Sequence, residues 1–141
     1  MNNLIDALLQ ADKEVLTAKT EIYEVKRLSD ILGQKFELTL QGFSARRYTE
    51  IQTQCIKFDT SGNQTSIKLF DMQLLTLCEG ISAPDFNDKA LLKQYGVATK
   101  KDLFEKILNA GEIAKIYDKI NQLCGYDSKA NENKVATIKN L

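Results

Sequence analysis

Histidine and tryptophan are absent from this 141-residue chain, and proline occurs once. Without histidine the usual general base, the usual metal ligand and the side chain that titrates near neutrality are all missing. Ser-His-Asp and Cys-His nucleophile arrangements are therefore excluded. Neither charge sign is in excess: 19 Lys+Arg meet 19 Asp+Glu, for a formal net charge of zero. Nucleic-acid binders gather a basic excess on one face. Here the basic pairs Lys26-Arg27, Arg46-Arg47 and Lys100-Lys101 each have an acid within a few residues. Solvated helix faces are expected, and nucleic acid is not a partner. No apolar run approaches the roughly 18 residues of a membrane span. The N-terminal MNNLIDALLQADKE lacks the basic n-region and longer apolar core of a signal peptide. The expectation is a soluble protein with no membrane association.

The three cysteines, Cys55, Cys78 and Cys124, are far apart, and no CxxC exists to begin a zinc site. Each falls in an apolar helical pattern, so buried free thiols and a reducing cytosol are expected. The glycines sit singly, which leaves no phosphate-cradling loop, and no DxDxDG calcium motif is present. Asp85 and Asp88 read as caps at the start of a helix rather than as an acid/base pair. The sequence thus offers no catalytic residue, no cofactor site and no metal site, and predicts a non-enzyme.

What is present is globular: 43% hydrophobic and 27% charged residues. Leu4, Ile5, Leu8 and Leu9 form a stripe on a short N-terminal helix, followed by a polar stretch at 12–20. So short a helix is marginal alone and must dock, either on its own domain or on a partner chain. Residues 21–26 and 35–41 alternate as strands, placing Tyr23 with Val25, and Phe36 with Leu38 and Leu40, on one face. Their connection at 27–34 turns the chain, with one helical turn at 29–32 closed by Gly33, and a β-hairpin is predicted. Ser44 caps a helix carrying Tyr48, Ile51 and Cys55. A loop at 59–63 leads to a long core helix at 66–79, with Ile67, Phe70, Leu74 and Leu77 inward and Gly80 closing it left-handed. Residues 81–85 read as a connector. Helices then start near Asn87-Asp88 and at Thr99, and a last strong one carries Ile113, Ile116, Tyr117, Ile120, Leu123 and Cys124. The expected architecture is mainly α: a helical domain with a small N-terminal β-hairpin. Residues 1–20 form a helix and linker, 21–126 a single domain, and 127–141 a polar tail expected to be disordered.

Taken in order, several segments resemble one family. They include MNNLIDALLQAD, EIYEVKRLS, KFELTLQGFS followed by YTEIQ, LLTLCEGISAPDF, ALLKQYGVATKKDLFEKIL, AGEIAKIYDKINQLCGY and a tail ending VATIKNL. The telling pieces are Glu79-Gly80-Ile81 with Pro84, Tyr95-Gly96 before Thr99, Gly111-Glu112-Ile113, and Cys124-Gly125-Tyr126. Their order is similar to that of the XkdN-like phage tail assembly chaperones. Ala110 stands where that family often has proline, and Cys124-Gly125-Tyr126 replaces a more usual Ser-Gly-Phe. The resemblance implies a non-enzymatic factor of the host bacterial cytoplasm. Such a factor binds the tape measure protein, keeps it soluble while tail tube protein polymerises around it, and leaves before the particle is complete. The alternative is a terminator or connector retained in the tail.

A chaperone for an elongated helical client uses exposed apolar stripes. The candidate partner-binding residues are Leu4, Leu8 and Leu9 on the first helix, and Ile113, Ile116 and Leu123 on the last. The second face also reads as ordinary core. Self-association through the same surfaces is a further expectation.

Overall fold

In the computed structural model, which describes residues 3–16, 19–58 and 60–126, the chain is mainly helical. The elements run α1 (Asn3–Gln10), α2 (Lys13–Leu16), β1 (Thr20–Glu24), α3 (Lys26–Leu32), β2 (Glu37–Gln41), α4 (Ala45–Cys55), β3 (Ile56–Phe58) and β4 (Gln64–Ile67). They continue with α5 (Leu69–Gly80), β5 (Ile81–Ala83), α6 (Lys89–Gln94), α7 (Lys100–Ile107) and α8 (Ala110–Leu123). The tail at 127–141, expected to be disordered, lies outside the described residues.

The alternating segments form strands and pair antiparallel, from Thr20↔Gln41 to Glu24↔Glu37. They are not joined by a tight turn. The connection folds as α3, almost two turns long, and ends at Gly33 in the left-handed region with φ of 71°. Ser29 fixes this helix to the sheet: its buried hydroxyl accepts from the Phe36 N–H at 2.7 Å. The residues 81–83, expected as a connector, add a third strand. The order is β1-β2-β5, with an irregular register between β2 and β5. The polar stretch after α1 is also not plain linker, since α2 lies within it.

A second antiparallel pair, β3 with β4, takes the place of the predicted start of the core helix. Residues 64–67 include the β-branched Thr65 and Ile67 and follow the Ser61-Gly62-Asn63 turn, so they continue a hairpin more readily than a helix. The Lys68 N–H donates to the Cys55 carbonyl at 2.7 Å and extends the ladder. As a result α5 begins at Leu69, and Phe70 falls in its first turn. Phe70 is 46% exposed rather than inward, and Ile67 is exposed with it.

The core lies between the sheet and the helices. Leu38 and Leu40 of β2 meet Leu74 and Leu77 of α5, Leu103 and Phe104 of α7, and Ile116 and Ile120 of α8, all nearly inaccessible to solvent. Phe36 is half-buried against the same cluster and packs on Phe86, which in turn meets Phe104 edge-on at 5.1 Å. Ile51 of α4 is buried as expected. Gly80 does not close α5 in a left-handed turn. It remains helical, and a side chain there would meet Ile120 at 2.6 Å: glycine at this position lets α5 and α8 approach. Gly42 serves similarly, since a β-carbon there would collide with the Leu123 carbonyl.

Candidate partner-binding surface

The expected apolar stripe forms on α1. Leu4 is 74%, Leu8 58% and Leu9 79% exposed, and Ile5 is exposed beside them. No residue of this eight-residue helix is buried. At about 1.5 Å rise per residue the stripe spans roughly 12 Å. That is enough for two turns of a partner helix to lie against it.

The second candidate face is core. Ile113 and Ile116 are buried at 3% and 0% exposure, and Leu123 is half-buried against the same cluster. The reason is positional. α8 crosses both α5 and the sheet, so its single apolar stripe is consumed by them, and Ala114, Lys115 and Asp118 face solvent. Ile113 and Ile116 are therefore corrected from partner-binding candidates to core residues.

The Gly111-Glu112-Ile113 segment has a structural task. Asn109 accepts from the Glu112 N–H at 2.9 Å, and the Glu112 carboxylate accepts from the Asn109 N–H at 2.9 Å, a complete capping box. The same carboxylate takes two bonds from Arg27 of α3, at 2.8 and 3.0 Å, while Arg27 also donates to the Ile107 carbonyl at 2.7 Å. The Arg27 guanidinium, helped by the Asn109 backbone, holds the Glu112 carboxyl below the usual range. This node ties α3, the end of α7 and the start of α8 together. The sequence showed only a break in periodicity there, although the Asn-x-x-Glu spacing was legible. Ser44, Asp88 and Thr99 cap α4, α6 and α7 as expected. Lys101, in the first turn of α7 and slightly against the helix dipole, is held by Asp71 of α5 at 3.3 Å.

Two clefts lie near the sheet and the end of α8. One, of about 410 Å³, is lined by polar groups that include Glu79, Asp85, Asn87 and Lys100. The other is aromatic. Tyr48 stacks between Phe43 and Tyr126, and its hydroxyl donates to Asn121 at 2.7 Å. Burial pushes the Tyr48 phenol far above its usual range. Burial also raises all three thiols, which are free: Cys55 is buried, whereas Cys78 and Cys124 are only half-buried. Among the described residues, no group of three or more His, Cys, Asp or Glu is placed to hold a metal. Among them, too, no helix is long and apolar enough to cross a membrane.

Further exposed apolar residues escaped the sequence reading: Ile22 on β1, Ile31 and Leu32 on α3, and Ile67, Leu69 and Phe70 around the start of α5. Alternation on β1 does place Ile22 opposite Tyr23, which was the available signal. Nothing comparable marked the others.

Residues 5–139 match the family described as phage XkdN-like tail assembly chaperone protein. The fold is similar to the crystal structure of the protein yqbn, with a TM-score of 0.56 and 21% identity, covering 79% of this chain and 90% of that one. No curated protein matches.

Proposed function

The chain belongs to the XkdN-like phage tail assembly chaperones, and from that premise we propose that it binds the tape measure protein during tail assembly. It keeps that long client soluble in the cytoplasm of the host cell while tail tube protein assembles, and it leaves before the particle is finished. Family membership points to an assembly role rather than catalysis. Residues 1–20 act as an arm on the domain at 21–126.

The observation that supports this reading is α1. A helix too short to be stable by itself presents Leu4, Ile5, Leu8 and Leu9 to solvent, with none of its residues buried. A helical client supplies the matching partner: an amphipathic helix laid against an apolar face, read at positions three and four apart. With a net charge of zero, long-range steering is weak, so the attraction is apolar and short-ranged. Contacts of this kind are released when tube subunits compete for the same client surface.

The test is Leu8→Asp. Leu8 is exposed, so the variant should keep its circular dichroism spectrum. A carboxylate carried into an apolar contact costs several kcal/mol, so capture of co-expressed tape measure protein should fall sharply. A folded variant that binds as before would place the client surface elsewhere. Mass spectrometry of purified particles tests departure: the chain should be missing, whereas a fixed copy number would make it a retained terminator or connector.

A further inference from the structure

β1 is an edge of its sheet: among the described residues it borders β2 alone. Hydrogen bonds at its two ends show which way its backbone groups point. The Gly42 N–H donates to the Lys19 carbonyl at 3.1 Å, and the Val25 N–H donates to the Phe36 carbonyl at 2.9 Å. Residues of an antiparallel ladder alternate between those bonded to the neighbour and those that direct both groups away. Lys19, Glu21, Tyr23 and Val25 therefore bond toward β2, and the register is unbroken from Thr20 to Glu24. Thr20, Ile22 and Glu24 turn their N–H and C=O groups to the open edge.

Such an edge is a template for another strand unless it is blunted. The opposite edge of the sheet is blunted: β5 has three residues, its register is irregular, and Pro84 follows at once. β1 contains no lysine, proline or register shift, and its central residue, Ile22, is 64% exposed.

We infer that two copies of this chain associate through β1, antiparallel, about a two-fold axis at Ile22. Charge and backbone pairing together select this register. An axis normal to the sheet keeps each side chain on its own face, so it passes through a residue rather than between two. An axis at Glu21 or Glu24 sets a carboxylate against its own copy, which is destabilising. An axis at Tyr23 sets Ile22 against Glu24 and leaves Thr20 without an outward-facing partner on the other strand, and one at Thr20 leaves Ile22 and Glu24 so. The axis at Ile22 sets Ile22 on Ile22, Thr20 on Glu24 and Glu21 on Tyr23. No like charges stand directly opposite each other, Glu21 and its own copy being only diagonal neighbours, and all three outward-facing residues are used, giving about six backbone hydrogen bonds. The sheets of the two copies become continuous, with α8 on the same side of both. This association is independent of the role given to α1.

Sedimentation velocity of the full chain over a concentration series tests it. The wild-type chain should pass from monomer to dimer as concentration rises. Ile22→Lys sets two ammonium groups on the axis and should weaken association more than tenfold with an unchanged circular dichroism spectrum, whereas Leu8→Asp should still dimerise. Oxidised Ile22→Cys should give a covalent dimer on a non-reducing gel above the wild-type background, a readout that holds even if Ile22→Lys fails to fold. A wild-type chain that stays monomeric, a folded Ile22→Lys chain that dimerises normally, or no cross-link through position 22 would overturn the inference. The first of these would also be the result if the edge instead receives a strand from another tail protein.

Discussion

Gly80→Ala is the sharpest probe of how this core is assembled. Alanine in a helix is favoured over glycine by about 1 kcal/mol, so secondary structure alone predicts stabilisation. The tertiary structure predicts the reverse. A β-carbon at position 80 would lie 2.6 Å from both Cδ1 and Cγ2 of Ile120 and 2.8 Å from its Cγ1. Nearly the whole of that side chain would have to shift, and Ile120 is fully buried at 0% exposure. α5 and α8 must then separate. Overpacking of this kind costs about 1–3 kcal/mol, and contact with three atoms of one buried side chain puts it at the upper end. Gly80 is the last residue of α5, where the propensity gain is smallest. The expected net loss is about 2 kcal/mol, or a fall in Tm of about 4–8 °C for a chain of this size. Urea denaturation followed by circular dichroism measures it. A double-mutant cycle identifies the cause. Ile120→Ala alone should cost about 2–5 kcal/mol, and in the Gly80→Ala background it should cost at least about 1 kcal/mol less, because the new methyl group occupies part of the vacated space. If Gly80→Ala is neutral or stabilising, or if the two losses simply add, the close approach of α5 to α8 is not why glycine stands there.

Other expectations follow from the same packing. Glu112→Gln should destabilise the chain at neutral pH, and the gap from wild type should close in acid. The folded carboxyl is held below its usual value, so its contribution is present above about pH 4.5 and is lost as pH falls through the depressed folded value; urea midpoints at pH 7 and pH 3 that differ equally would refute this. Asn109→Ala removes the other half of the capping box and should cost about 1 kcal/mol, seen as a lower urea midpoint with unchanged slope. In native-state alkylation followed by mass spectrometry, half-buried Cys78 and Cys124 should react before Cys55, which is 1% exposed; equal rates would show that α4 opens as readily as the rest.

The linear order of residues was enough to determine several local elements of this protein. Alternation at 35–41 dictates a strand with Leu38 and Leu40 on one face, because successive side chains of a strand point to opposite sides. The 3.6-residue repeat of Ile113, Ile116 and Ile120 dictates an amphipathic α8, and Ser44, Asp88 and Thr99 mark helix starts through bonds to their own first turns. The absence of histidine, the balanced charge and the order of the short segments were legible in the same way. Tertiary structure decided the rest. Whether the α8 stripe met a partner or the core depended on α5 and the sheet lying under it, and Ile116 is buried because they do. Ile81 and Ala83 became a strand only because β2 offered an edge to pair with, and Phe70 faces solvent because the β3–β4 pair delayed the start of α5. Gly80 looked like helix punctuation, yet its reason is Ile120, forty residues away in sequence. Periodicity fixes which residues share a face; what that face meets is set by contacts distant along the chain, which no local pattern encodes.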